Sequence, residues 1–361
     1  MPRFDPTATV ADVGEKFLIE QMLRPMFNPD NNRNLAGDDC AAIEVPPGSF
    51  VIASTDRVPA DLISFRAGVL DFEHFGRYLG VLNLSDIAAC GGVPLVILFN
   101  CGLPSELRVD ALAAISRGLR DVASRFGCKI AGGDVTSASE LSLSATIIGH
   151  VDKRRMLRRS GARAGDSIFV SRSLGLTPVA LDYCLNRKNY AALTGNDTRR
   201  LEAQFTALDP EIDLGQKLSA HGMCTSCMDN TDGVGQCLLE LAREAGYGFV
   251  VMPDRVQLDP IVAAVASRNG VDALDFALGP GADFALVGTL SGEWSDEKAC
   301  HTFGGALRIL GTVVEGDGVY LARNGAMQRF VPRGWNYFVP PPPHLTASLG
   351  SSFSVSSVSA G

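Results

Sequence analysis

No stretch of this chain approaches 18 consecutive apolar residues, and its opening, MPRFDPTATVADVGEKF, lacks the apolar segment of a secretory leader. Neither a membrane-spanning helix nor export is therefore expected, and the expected compartment is the cytoplasm. Concentrated positive charge is also missing. The 32 Lys+Arg stand against 40 Asp+Glu, a net charge of -8, with no basic stripe or tail, so nucleic acid and anionic membrane are not expected as partners. The nine cysteines are odd in number and scattered through apolar runs, which excludes a disulfide framework and reads as reduced, small hydrophobes. Cys224 and Cys227 form the one close pair, and without a second pair or a nearby His set they do not make a zinc site. Neither a Walker A sequence nor a GxGxxG turn is present, so the usual phosphate loops are excluded. No repeat of solenoid period occurs.

What is present suits a folded enzyme. At 361 residues, 46% hydrophobic, the chain can build two domains with their own cores, and 38 glycines point to many tight backbone features. The pattern predicts an α/β (α+β) body. An N-terminal helix is expected over Val13–Met22, then the polar NPDNNRN loop, then strand, turn and strand through residues 37–53, closing on Ser54-Thr55-Asp56. A strand over 95–99 separates two helices, the second starting at Ser105 and carrying Leu112, Ile115, Leu119 and Val122 at spacings of three and four. Strands follow over 128–131 and 141–147. The loop-like run Arg158 to Asp166 places a domain boundary near it, giving 1–155, 156–340 and a Pro- then Ser-rich tail, 341–361, that is expected to be disordered. Beyond the boundary, strands over 167–171, 249–252 and 285–290 alternate with helical segments, and Lys188 to Arg200 shows little periodicity.

The stretch around which the chain is organised is Leu79 to Gly92, LGVLNLSDIAACGG. At helical spacing Leu79, Leu82, Asn83, Asp86 and Cys90 share a face, so Asp86 lies on the stripe that turns inward. Ser85, Ala88, Ala89 and Gly91 keep this helix thin enough for another backbone to approach. A lone inward Asp can be a satisfied hydrogen-bond acceptor. Yet Asp38, Asp39, Asp56, Asp134, Asp229, Asp232 and Asp283 also lie at strand ends or Gly turns. Singly each reads as a cap. Together, if they converge, they repel unless a cation sits among them, and oxygen-only ligands favour Mg²⁺, which is commonly shared with phosphates. Gly132-Gly133-Asp134 lets backbone approach a phosphate, and Thr231-Asp232-Gly233 offers amides at a helix start. Arg57, beside Asp56, is a candidate for an anionic group on the substrate or, equally, for a salt bridge within the acids.

The ordered series GDDCA (37–41), STD (54–56), NLSDIAACGG (83–92), GGD (132–134), RSGARAGD (159–166), MDNTDG (228–233) and GPGAD (279–283) resembles the thiamine-monophosphate kinase family, within the superfamily of aminoimidazole ribonucleotide synthetase. The likeness runs from about residue 12 to about 338. It implies a two-domain synthetase-like fold, with an N-terminal domain that dimerises through its sheet and a C-terminal α/β domain, and ATP held with Mg²⁺ in the cleft between them. Carried over by motif, Asp39, Ser54, Thr55, Asp56, Asp86, Asp134, Asp229 and Asp232 would ligate metal. Gly133, Asp134, Arg159 and Thr231 would contact ATP, with Asp86, Asp134 and Asp232 central to catalysis. Thr231 keeps the hydroxyl of the family's usual Ser. On the acceptor side, Ser64 stands where the family has His, Ala282 where it has Glu, and Trp335 where an aromatic packs. The resemblance implies ATP-dependent phosphorylation of thiamine phosphate or a different small metabolite by a homodimer. The superfamily alternatives are an amide- or carbonyl-activating synthetase or dehydratase, whose N-terminal and C-terminal reactive cysteines have no match here, and a nucleotide-binding homologue without catalysis.

Overall fold

The structure, a computed structural model, describes residues 5, 7–30, 32, 35, 40–59, 62–304, 307–323 and 325–331. Two sheets divide the strands between them. The first has four, β1 (Ser49–Arg57), β2 (Val93–Leu103), β3 (Lys129–Ser137) and β4 (Ser142–Asp152), in the order β1-β4-β2-β3. β4 runs antiparallel to both β1 and β2, and β3 lies parallel to β2 at the far edge. The second sheet has seven, β5 (Ser167–Val170), β6 (Cys224–Asp229), β7 (Gly248–Val251), β8 (Leu286–Leu290), β9 (Arg308–Val314), β10 (Val319–Arg323) and β11 (Ala326–Phe330). Their order is β11-β10-β7-β9-β5-β8-β6. The mixed α/β architecture expected from the sequence is present, with no helix among the described residues long and apolar enough to cross a membrane.

The helix Phe72–Ala89 joins the two sheets. It is capped by Asp71, whose carboxylate accepts from the His74 amide at 2.8 Å, and it ends at Cys90-Gly91, where Gly91 takes φ +67°. Phe75, Tyr78, Leu79, Val81, Leu84, Ile87, Ala88 and Ala89 are all buried, on every side of the helix. A helix apolar all round must be enclosed, and this one is. Against it lies the helix Val109–Arg125, which buries Val109, Leu112, Ile115, Leu119 and Val122 on one stripe. The crossing depends on two glycines. A Cβ on Gly76 would lie 1.8 Å from the Ile115 carbonyl oxygen, and one on Gly118 would lie 1.9 Å from that of Glu73. On the other side the helix Ile212–His221 comes in at Ala88 and Gly91. A Cβ on Gly215 would meet the Ala88 oxygen at 2.1 Å, so the small residues noted in the sequence do admit a second backbone.

Several sequence expectations shift. The N-terminal helix is a broken series, Val10–Val13, Glu15–Phe17, a π-helical Leu18–Leu23 and Arg24–Phe27. Pro25 lacks the N–H that a regular continuation would use. Residues 40–46 form no strand, because Pro46 and Pro47 have no amide hydrogen for a ladder; residues 37–39 lie outside the described residues. The second helix begins at Val109, not Ser105. The Ser105 and Leu107 carbonyls instead accept from Ala11 and Val10, which ties the N-terminal segment down. Gly195–Thr206, read as aperiodic, is a helix opened by a Thr194/Asp197 capping box. The 341–361 tail lies outside the described residues.

Candidate active site

Three acids from separate elements meet beside a crevice of about 370 Å³. Asp86 comes from the central helix, Asp56 from the end of edge strand β1, and Asp229 from the end of β6 in the second sheet. Asp86 and Asp229 line the crevice with Ser54, Cys90, Arg158 and Arg159. Burial, first of all, pushes the Asp86 carboxyl up to about 7, with Asp56 beside it adding to the rise and the Ser54 hydroxyl opposing it. Burial raises Asp56 as well, followed by the charge of Asp229. Asp229 is 4% exposed. Burial and then the Asp86 charge push it up to about 6. Its buried Oδ2 lies by the Ser85 hydroxyl, which opposes the rise without closing a well-formed hydrogen bond. Like charges this close share protons when no cation separates them.

The segment bearing Arg159 is pinned in place. The Cys227 amide donates to the Arg158 carbonyl at 2.7 Å, Leu157 N to the Cys90 carbonyl at 3.1 Å, and Ser219 Oγ to the Arg155 carbonyl at 2.8 Å. Gly161, at φ +123°, lies so near β6 that a Cβ would be 2.4 Å from the Thr225 oxygen. Arg159 lines the crevice, and its charge opposes the rise at Asp86, Asp229 and Asp232. Thr231 and Asp232 occupy the turn before the helix Val234–Ala245. Burial raises Asp232, and the Glu240 charge adds to it.

Asp283 holds this turn in place from behind. Its Oδ1 accepts from Asn230 Nδ2 at 2.8 Å and from the Ala285 amide at 3.0 Å, while Asn230 Oδ1 accepts from Gly233 N at 2.9 Å. Phe284 follows at φ 57°, in the left-handed region that costs a bulky residue about 1–3 kcal/mol. Its amide donates to the Asn230 carbonyl at 3.0 Å and its ring meets Tyr78 edge-on. These contacts, which outweigh the strain, hold the Asn230–Gly233 turn against the central helix.

Other expected residues fall elsewhere. Strand alternation turns Thr55 away from Ser54 and Asp56; its Oγ1 donates to the Ala145 carbonyl at 3.0 Å and accepts from Thr146 Oγ1 at 3.1 Å. Arg57 lies exposed on that same opposite face. Gly133 and Asp134 are on β3, three strand spacings from β1, which is roughly 14 Å across a flat sheet. Within one chain they do not join Asp56 and Asp86. Gly133 packs so closely on β2 that a Cβ would be 1.6 Å from the Phe99 oxygen. Ser64 is 1% exposed with its Oγ unpartnered, in the short helix Ile63–Arg66. Ala282 is half-buried against the apolar core. Asp39 and Trp335 lie outside the described residues. Sequence reasoning missed Glu240, which ion-pairs with Arg159 at 3.0 Å; the only signal was its place two turns along the helix from Gly233. It also took Ser85 for a spacer only.

The donor set around the crevice is oxygen-rich and suits a hard cation. Among the described residues no group of three or more His, Cys, Asp or Glu is gathered closely enough to hold an ion alone. Mg²⁺ does not require such a cage, since it keeps waters and takes one or two carboxylates with substrate phosphates. The buried Asp229 carboxylate, without a well-formed partner at Oδ2, and the adjacent Asp56 and Asp86 fit it.

Residues 37–151 match the family model described as AIR synthase related protein, N-terminal domain. A thiamine-monophosphate kinase of Halobacterium salinarum is 32% identical over 287 residues, 79% of this chain and 90% of that one. A crystal structure of the thiamine-monophosphate kinase from Stenotrophomonas maltophilia K279a superposes with a TM-score of 0.73 at 25% identity, covering 87% of this chain and 98% of that one. AaThiL complexed with AMPPCP and TMP gives a TM-score of 0.69 at 23% identity, covering 92% of this chain and 99% of that one.

Proposed function

The chain belongs to the thiamine-monophosphate kinase family and is a kinase; from that premise we propose that it transfers the terminal phosphoryl group of ATP to thiamine phosphate, with Mg²⁺ shared between carboxylates of the Asp56, Asp86 and Asp229 cluster and the ATP phosphates. The observation that carries this reading is the trio of carboxylates beside the crevice, Asp229 buried and Asp56 and Asp86 half-buried, brought together from three separate elements. When bound, the metal supplies charge neutralisation across the β and γ phosphates. The chain's own part is positioning. Arg159 presents a guanidinium to phosphate oxygens, and the clamped Asn230–Gly233 turn holds Thr231 and Asp232 at the helix start. The acceptor is already a phosphate, so no strong general base is needed.

The homodimer belongs to the same proposal. The face of the first sheet turned away from the helices carries Val51, which is 58% exposed, and Val93 at 39%. With β1 and β3 as open edges, a second copy of this chain would cover that face and could bring its Gly133 and Asp134 toward the acids across the gap described above.

The test is incubation of the purified protein with Mg-ATP and thiamine phosphate. Thiamine diphosphate is the expected product. Retained ATP binding without that product would transfer the reading to a different acceptor, which Ser64 and Ala282 already make the second possibility.

The acids also set a pH dependence. Asp86 and Asp229 titrate at about 7 and about 6 in the fold against 3.8 in the open chain. Between those values the folded state binds more protons, so their contribution to stability is full below about 4 and is lost as pH rises through 6 and 7. With chelator present, this loss should appear as a fall in melting temperature over that window. Added Mg²⁺ should raise the melting temperature more at pH 8 than at pH 5, because the cation binds the deprotonated carboxylates. An equal rise at both values would speak against a carboxylate site.

A further inference from the structure

Arg159 leaves the chain on a loop and is about half exposed, yet it lines the crevice with Asp86 and Asp229. Something must hold a long, mobile side chain there. Its Nη1 donates to Glu240 Oε2 at 3.0 Å, and the Glu240 side chain is only 20% exposed. The other Glu240 oxygen accepts from Gln236 Nε2 at 3.3 Å, one helical turn earlier. Both oxygens of the carboxylate are thus engaged, on the helix Val234–Ala245 that starts at the Asn230–Gly233 turn.

We infer that Glu240 is a positioning residue for Arg159, holding the guanidinium by one edge nitrogen so that Nη2 and Nε face the nucleotide phosphates. This rests on the reading of Arg159 as a nucleotide contact. A carboxylate near a polyanion site is unfavourable by charge alone, and Glu240 indeed raises Asp232. Its retention as a tether follows from the monodentate geometry. A planar guanidinium held at Nη1 keeps its remaining donors for a bidentate phosphate contact, and restricting its rotamers removes an ordering cost from binding.

The experiment measures ATP affinity by titration of a fluorescent ATP analogue, and KM and kcat where turnover is followed, in Glu240→Ala, Glu240→Gln, Arg159→Ala and the Glu240→Ala/Arg159→Ala double variant. Glu240→Ala should weaken nucleotide binding roughly threefold, the scale of a half-exposed ion pair, with the change in KM rather than kcat. Glu240→Gln keeps an acceptor for Nη1 and should recover most of the loss. In the Arg159→Ala background, removal of Glu240 should have no further effect. Tighter or unchanged binding in Glu240→Ala would overturn the tether, as would the same loss with Arg159 absent. If Arg159→Ala itself leaves nucleotide affinity intact, the underlying reading of Arg159 falls too, which separates the two failures.

Discussion

Replacing Asp86 by Asn should lower kcat by roughly 10²- to 10³-fold, the scale seen when one preorganised electrostatic contact to a transferring group is removed. The substitution keeps size and one carbonyl oxygen, so the central helix should remain packed. It removes the charge that burial and Asp56 have already pushed to a pKa of about 7. In metal-free buffer the variant should therefore melt no lower than the parent at pH 8, because a strained buried carboxylate has gone. Turnover and melting are expected to separate, with activity lost and the fold kept. Near-parental turnover in Asp86→Asn would end the metal role assigned to this side chain.

The second large effect concerns the helix crossing. A methyl group on Gly118 would lie 1.9 Å from the Glu73 oxygen and 2.8 Å from the Arg77 amide nitrogen. Both are helix backbone atoms that cannot rotate away. Gly76 meets the Ile115 oxygen in the reciprocal way, so the two helices can part only as units. Gly118→Ala should cost about 3 kcal/mol of overpacking against about 1 kcal/mol gained from helix propensity, a net loss of about 2 kcal/mol by denaturant midpoint. Arg77, which pairs with Asp209 on the segment leading into the Ile212–His221 helix, would be displaced with it. A Gly118→Ala protein as stable as the parent would mean that the helices do not cross this closely.

The sequence reading captured the periodic and the aligned, and lost what depends on third parties. The Val109–Arg125 stripe followed from spacing alone. So did the role of small residues near Ala88 and Gly91, where the Ile212–His221 helix does come in. The expected inward stripe of the central helix did not: Leu82, Asp86 and Cys90 are its half-buried line, with Asp86 and Cys90 on the crevice. The Gly76/Gly118 contact was not legible, because its partners are about 40 residues apart and each glycine alone reads only as a weak helix former. Thr55 was grouped with Ser54 and Asp56 by motif, whereas a strand of period two sends it to the other face. Asp283 could be read as a turn residue, and it acts as a clamp. Its partner Asn230 lies 53 positions away, beyond any local signal. The departure at Ser105 has a similar origin, since the carbonyls that would have begun a helix there bind the N-terminal segment instead.

One apolar cluster runs from the first sheet onto part of the second, whose other strand residues pack in a core of their own. Leu84 and Ile87 of the central helix share the cluster with Ile147 of the first sheet and with Leu218, Phe284, Leu286 and Ile309 beyond the crevice. Swinging the halves apart to admit a substrate would strip that oily floor bare, at about 25 cal/mol for each Å² uncovered. That cost opposes a wide parting around the crevice, whose lining includes Arg158 and Arg159.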